Sequence, residues 1–197
     1  MRLLSLLAPA LLLSCASLDS PPARFLGKYD LPDPLPAAFS VCTSVGCHSQ
    51  TGVVLSREEW AAVDALFLPP SRTPEEERRQ VAGAVGLMES LVGPKAGTDR
   101  DVAKNGWDEF QSPQLDCVAE AANTTVYLTL LQTRGHLRHH RVAHPARRGF
   151  LIFFPHNTAV LLEPQTGRAW AVDSWFHDNG HPPEIVLLTE WKAGFRP

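Results

Sequence analysis

The sequence predicts a single α+β domain, with helices first and a small antiparallel sheet second. Up to residue 133, apolar residues recur at helical spacing after helix-capping residues. Beyond residue 136, short β-rich runs alternate with turn residues, notably at 164–167 and 178–180. Helices followed by a block of strands are typical of the α+β class. The chain has 197 residues, 44% of them hydrophobic, which is enough for one domain with a substantial core.

The first residues have the pattern of a targeting segment. Arg2 gives a positive start, and residues 3–13 form an apolar stretch of the length found in signal peptides. The sequence Leu-Leu-Ser-Cys that ends at Cys15 resembles the bacterial lipobox, which implies a lipid anchor on this cysteine. An ordinary signal peptide with a chance cysteine is the alternative. By analogy with lipoprotein sorting, Ala16 favours the outer membrane, so we expect a lipid-anchored protein of the bacterial cell envelope that faces the periplasm.

Composition divides the chain into three parts. Residues 1–14 are the predicted signal peptide. Residues 15–40 contain five prolines and few periodic aliphatic residues, which is typical of an extended tether behind the lipid anchor. Residues 41–197 form the predicted domain.

The cysteines suggest one reactive thiol. Export permits disulfides, and a bond between Cys42 and Cys47 would close a short loop. Cys117 would then be an unpaired thiol, which is a reactive candidate in an exported protein. A bond from Cys117 to either of the other two is the alternative that the sequence leaves open.

Capping residues predict where the three helices begin. Ser56 and Glu59 form a capping box for a short helix that ends before the prolines at 69–70. Thr73 caps a second helix, which ends at residues 93–94 and is followed by a loop over 95–114. Asp116 caps a third helix over 117–133, so that its first turn contains Cys117. Glu120 and Asn123 of this helix could orient the site or be solvated, and we favour the solvated position. The predicted strands follow at 137–142, 150–154, 157–163 and 168–175.

Net charge and hydropathy exclude two classes of function. A net charge of −3 and a pI near 6.2 do not indicate nucleic acid as a partner. No apolar run reaches the ~18 residues that a bilayer span needs. No cofactor is expected, and a metal site at His136, His139 and His140 is disfavoured because a loop or strand gives them no fixed ligand geometry.

Hairpin geometry predicts that a histidine and an aspartate meet. If residues 164–167 form the turn, Glu163 lies opposite Arg168, and Asp173 lies opposite Thr158. Because side chains alternate along a strand, His156 and Thr158 share one face. Asp173 is then the diagonal neighbour of His156 and can reach its imidazole. A slip of one residue would place the two on opposite faces.

This order of residues resembles the transglutaminase-like branch of the papain-like cysteine enzymes. The resemblance covers residues 116–175: a cysteine that begins a helix, a histidine on a strand, and Asp-Ser-Trp on the next. It implies a nucleophile helix packed on an antiparallel sheet, with Cys117 as nucleophile, His156 as general base and acid, and Asp173 as its orienter. Asn157 departs from the pattern, because an aromatic residue often follows the histidine in that superfamily.

The resemblance also implies an activity. The expected reaction is acyl transfer from a peptide or protein amide to water, as in a peptidase or amidase, with transglutaminase activity as a variant. A helix N-terminus and a histidine are expected to favour the Cys117 thiolate. The N–H of Cys117 is one expected oxyanion donor, and Gln111 or Gln114 is a candidate for the other.

A basic segment supports a non-catalytic alternative. Residues 134–148 contain five arginines and four histidines. In an anchored envelope protein, such a segment could bind a cell-wall polymer or anionic lipid. An enzyme requires a reactive Cys117 thiol, whereas this binding module does not. The sequence does not indicate the oligomeric state.

Overall fold

A computed structural model describes residue 18 and residues 20–104, 114–150 and 153–197. It has a mixed α+β fold, as the sequence predicts. The helices of this described part are α1 (Ala23–Leu26), α2 (Arg57–Ala65), α3 (Pro74–Ala96), α4 (Cys117–Thr133) and α5 (Leu188–Lys192). The strands are β1 (Phe39–Cys42), β2 (Gln50–Val53), β3 (Arg141–Phe150), β4 (Phe153–Glu163), β5 (Arg168–Asp173) and β6 (Glu184–Leu187). None of these helices has both the length and the apolar character that a membrane span requires.

The three predicted helices begin at their predicted caps. The capping box of α2 has both of its hydrogen bonds, and Thr73 and Asp116 accept from the third residues of α3 and α4. The end of α3 differs from the prediction, since the helix continues through Pro94 to Ala96. Proline already has a helical φ, and the Gly93 carbonyl accepts the N–H groups of Gly97 and Thr98, which closes the helix one turn later.

Strands β3 to β6 form one antiparallel sheet in sequential order. The predicted β4–β5 register is confirmed, with Glu163 opposite Arg168. The predicted strand at 137–142 is wrong in its bounds, because β3 begins at Arg141. The N–H groups of residues 138–140 bind the carboxylate of Glu77 instead of a neighbouring strand. Strand β6 and helix α5 are additions that the sequence patterns did not predict.

The sheet is covered on both faces. Alternate residues of the strands pack with α4 in the main core, for example Ala159, Leu161 and Val172. Their neighbours in the chain pack with Leu188 and Trp191 of α5 in a second cluster. Because each strand alternates between the two clusters, side chains at the strand ends are divided between an α4 face and an α5 face.

The N-terminal boundary of the domain differs from the prediction. Within the predicted tether, α1 and the turn after it bury Phe25, Leu26 and Leu31 in the main core. Leu18 packs against the second cluster. These apolar side chains make the segment part of the domain. The predicted signal peptide and Cys15 lie outside the described residues.

Strands β1 and β2 form a separate hairpin that carries the disulfide between Cys42 and Cys47. This hairpin docks on α4 through Asn123. The Asn123 amide accepts from the Cys42 N–H at 2.7 Å and donates to the Cys42 carbonyl at 3.0 Å. The disulfide loop is thereby fixed beside the first turns of α4.

Candidate active site

Cys117 begins α4 and is the free cysteine of the described part of the chain. The alternative pairings of this thiol with Cys42 or Cys47 are therefore absent from the structure, since those two are bonded to each other. Asp116 caps the helix by accepting the Ala119 N–H at 3.0 Å. The same carboxylate oxygen accepts the Gly46 N–H at 2.9 Å, which joins the disulfide loop to the start of the helix.

His156 and Asp173 form a buried pair on the α5 face of the sheet. The distance from His156 Nε2 to Asp173 Oδ2 is 2.7 Å, in agreement with the predicted diagonal contact. The indole N–H of Trp191 donates to the same carboxylate oxygen at 2.6 Å. Two donors therefore hold the carboxylate, and both side chains of the pair are almost completely buried.

Three aromatic residues surround the His156 ring. The ring centroids of Trp175, Phe176 and Trp191 lie 4.7, 5.6 and 5.4 Å from that of the imidazole. Helix α5 supplies Trp191, which the sequence patterns did not identify. The aromatic rings shield the bond between His156 and Asp173 from water, so that it acts in a medium of low dielectric.

Cys117 lies against strand β4 at the position of His156. Its thiol donates to the Pro155 carbonyl at 3.6 Å, and Asn157 Nδ2 donates to its sulfur at 3.8 Å. The residues on either side of His156 thus contact the sulfur. This arrangement brings the helix start and the strand of the predicted site together.

Burial is the largest influence on the Cys117 thiol, and it raises the pKa. The Asn157 backbone N–H opposes this effect, Asp116 adds to it, the Asn157 amide opposes it, and Asp173 adds to it. The net pKa is raised, which differs from the expectation of a thiolate favoured by the helix N-terminus. The reason is that burial and two nearby carboxylates outweigh the two Asn157 donors. A raised pKa favours the protonated thiol, in agreement with the hydrogen bond that the sulfur donates to the Pro155 carbonyl.

Two further residues contribute to the electrostatics of the site. Arg148 lies opposite His156 in the sheet, and its guanidinium lies 4.4 Å from the centroid of the Trp191 ring. Burial lowers the pKa of Arg148, against the opposing effects of Asp173 and Cys117. Burial also raises the pKa of Tyr29, with Asp116 and Cys117 acting in the same direction. A phenol and a cation therefore lie close enough to interact with a negative charge on Cys117 when the thiol ionises.

A cluster of three buried carboxyl groups lies behind the site. Glu120 hydrogen-bonds Asp101, and Glu89 interacts electrostatically with both. Burial raises the pKa of Glu89 to about 8 and that of Asp101 to about 6. The pKa of Glu120 is also raised by burial and by the other two carboxyls. The expectation that Glu120 and Asn123 face solvent was wrong, because both are buried.

Of the two glutamines that are candidates for an oxyanion donor, the structure describes Gln114. Gln111 lies outside the described residues. Gln114 donates its amide to the Arg100 carbonyl and accepts the Val102 N–H at 3.2 Å. Through these bonds, the Gln114 side chain holds the loop that precedes α4.

Much of the basic segment binds within the protein. Arg134 and His136 both contact Asp64, and the Arg134 guanidinium lies over the ring of Trp60. His140 is fully buried and bonds Glu77 at 2.8 Å. Several of the basic side chains that the binding-module alternative requires are therefore paired with carboxylates of the same chain. In the part of the chain that the structure describes, no group of three or more His, Cys, Asp or Glu side chains is arranged to hold a metal ion.

Comparison with known proteins adds no relative: the chain matches no protein-family model, no curated protein and no solved structure. The chemistry of the site has to be inferred from its own residues. A thiol at a helix N-terminus, beside a strand whose histidine is oriented by a buried carboxylate, has the parts of a nucleophilic catalyst.

Proposed function

We propose that the protein is a cysteine-dependent acyl-transfer enzyme with a transglutaminase-like, papain-like core. It would act on amide bonds, as a peptidase or amidase does, at the bacterial cell envelope. The observation that carries the proposal is the buried bond between His156 and Asp173, formed at the point of β4 where Cys117 packs. His140 and Glu77 form a similar buried pair, but the thiol of Cys117 lies against the residues on both sides of His156. A catalytic histidine needs both an orienting carboxylate and a nearby nucleophile.

The reaction would begin with transfer of the Cys117 proton to His156. Because Nε2 is bonded to Asp173, the nitrogen that receives this proton is Nδ1. The thiolate attacks the amide carbon and forms a tetrahedral oxyanion, for which the Cys117 N–H is a candidate donor. The C–N bond then breaks as the imidazolium protonates the departing amine, which leaves a thioester on Cys117.

Water would complete the cycle. His156 takes a proton from the attacking water, the new tetrahedral oxyanion collapses, and the C–S bond breaks to release a carboxylic acid and the protonated thiol. An amine in place of water would give transamidation. We favour hydrolysis, since no amine-binding feature is apparent in the sequence. Lipid on Cys15 would place this reaction at the membrane surface.

The pH dependence of Cys117 alkylation tests the proposal without knowledge of the substrate. The full chain is treated with iodoacetamide at a series of pH values, and modification of Cys117 is followed by mass spectrometry of its peptide. An imidazolium beside a thiolate shifts its pKa by about 1 to 3 units. We therefore expect His156→Ala to move the alkylation midpoint upward by at least about one unit.

His181→Ala is the matched control, because His181 is an exposed imidazole on the loop before β6. This variant should leave the midpoint unchanged. Non-reducing maps of the same samples should show Cys42 linked to Cys47, with Cys117 free. An alkylation midpoint that is the same with and without His156 would contradict an enzymatic role.

A further inference from the structure

Asn157 is placed to act on the sulfur from the side opposite to the catalytic histidine. Neighbouring residues of a strand point to opposite faces of the sheet, so Asn157 faces α4 while His156 faces α5. The sulfur lies beside the edge of β4, between the Pro155 carbonyl and the Asn157 N–H, where side chains of both faces can approach it. From this position its side-chain nitrogen reaches the Cys117 sulfur at 3.8 Å. The half-buried amide thus meets the reacting atom directly.

The surroundings of the sulfur give this contact its importance. Burial and the two carboxylates of Asp116 and Asp173 all oppose a negative charge on Cys117. The hydrogen bonds that favour this charge come from the backbone N–H and the side-chain amide of Asn157, and the Arg148 guanidinium adds a longer-range attraction. A hydrogen bond to sulfur strengthens when the thiol becomes a thiolate, since bonds to charged acceptors are stronger than bonds to neutral ones.

We propose that Asn157 is a catalytic residue, whose side-chain amide stabilises the Cys117 thiolate and thereby sets the pH range in which the sulfur is a nucleophile. This role rests on the proposed thiol chemistry and adds a fourth side chain to it. In the resting state the thiol donates to the Pro155 carbonyl. When the proton passes to His156, that bond is lost, and the Asn157 amide becomes the side-chain donor to the new charge.

The position of Asn157 also bears on the departure from the family pattern. An aromatic residue at this position would give the sulfur a ring edge and no amide donor. An amide provides two N–H donors in a fixed plane. The asparagine therefore compensates for a buried, acidic environment around the nucleophile.

Three substitutions test the role by the same alkylation assay on the full chain. Asn157→Ala keeps the backbone N–H but removes the amide, and should raise the midpoint by about one pH unit. Asn157→Asp has the same shape but replaces the donor with a carboxylate, and should raise the midpoint further. Asn157→Gln keeps an amide on a longer stem and should lie closest to the unsubstituted chain.

Thermal unfolding of each variant separates catalysis from packing. A merely structural Asn157 would lower the melting temperature in the alanine variant but leave the alkylation midpoint in place, which would overturn this inference. The proposed function fails separately, when His156→Ala leaves the midpoint of the unsubstituted chain unchanged. A midpoint that responds to His156→Ala but to neither Asn157→Ala nor Asn157→Asp would refute the role of Asn157 alone.

Discussion

Glu89 should make the protein less stable as the pH rises through the neutral range. Its carboxyl is buried between α3, α4 and the loop after β5, and one of its oxygens has no hydrogen-bond partner among the described residues. The other oxygen accepts the Gly180 N–H at 3.0 Å. Burial is the main reason that the pKa of Glu89 rises from its ordinary 4.5 to about 8. The folded protein therefore retains a proton that the unfolded chain has lost.

The sign and size of the effect follow from this difference in pKa. Between pH 4.5 and about 8, the folded state binds more protons at Glu89 than the unfolded state does, so the free energy of unfolding falls with rising pH. Each pH unit in this range corresponds to about 1.4 kcal/mol. From pH 5 to pH 8, we expect Glu89 to remove about 3 to 4 kcal/mol from the free energy of unfolding.

Glu89→Gln removes this titration while keeping the shape of the side chain. Urea denaturation of both proteins at pH 5, 6, 7 and 8 gives the two free energies of unfolding. The new amide buries an N–H group, which costs about 1–3 kcal/mol at every pH and shifts the variant uniformly. The informative quantity is the difference in the free energy of unfolding between the two proteins. Between pH 5 and pH 8, this difference should change by about 3 to 4 kcal/mol in favour of the glutamine variant.

Glu190→Gln is the matched control, because Glu190 is exposed on α5. The free energy of unfolding of this variant should differ from that of the unsubstituted chain by the same amount at every pH from 5 to 8. Asp101 and Glu120 titrate in both the unsubstituted and the Glu89→Gln chains, and the variant lacks the Glu89 charge that raises the pKa of Glu120. If the curves for Glu89→Gln and the unsubstituted chain run parallel from pH 5 to pH 8, Glu89 ionises at its ordinary pKa, and the reasoning from burial is refuted.

Two further predictions concern Trp191 and the anchor. Trp191→Phe keeps a ring against His156 but removes the N–H that binds Asp173, so we expect a loss of about 1–3 kcal/mol in urea denaturation. Unchanged stability would mean that the Asp173 carboxylate does not need this donor. Cys15→Ser should abolish metabolic labelling with a fatty acid and remove the protein from the detergent phase. Labelling that persists in this variant would contradict the lipobox.

Local signals predicted the helix starts and the hairpin. Each cap depends on residues three apart, as in Ser56 with Glu59, and the register of β4 and β5 depends on a four-residue turn. The contact between His156 and Asp173 follows from that register and from the alternation of side chains. These features were predictable because short stretches of chain determine them.

The remaining parts of the site depend on distant partners. Glu120 was expected to be solvated, but it is buried. Its partner Asp101 comes from the loop after α3, and Trp191 comes from a helix of five residues near the C-terminus. No periodic pattern in the sequence connects such positions, so the carboxyl cluster and the cover over His156 emerge only from the fold.

The end of β5 shows how the two parts of the protein act together. Asp173 faces α5 and binds His156, while Ser174 faces the other way and bonds Thr124 of α4 at 3.1 Å. Ser174 also bonds Glu89, so the carboxyl cluster holds the residue next to Asp173. The strand end is thus fixed from both sides of the sheet. Because Glu89 is protonated, its bond to Ser174 holds the end of β5 without placing a second negative charge beside Asp173.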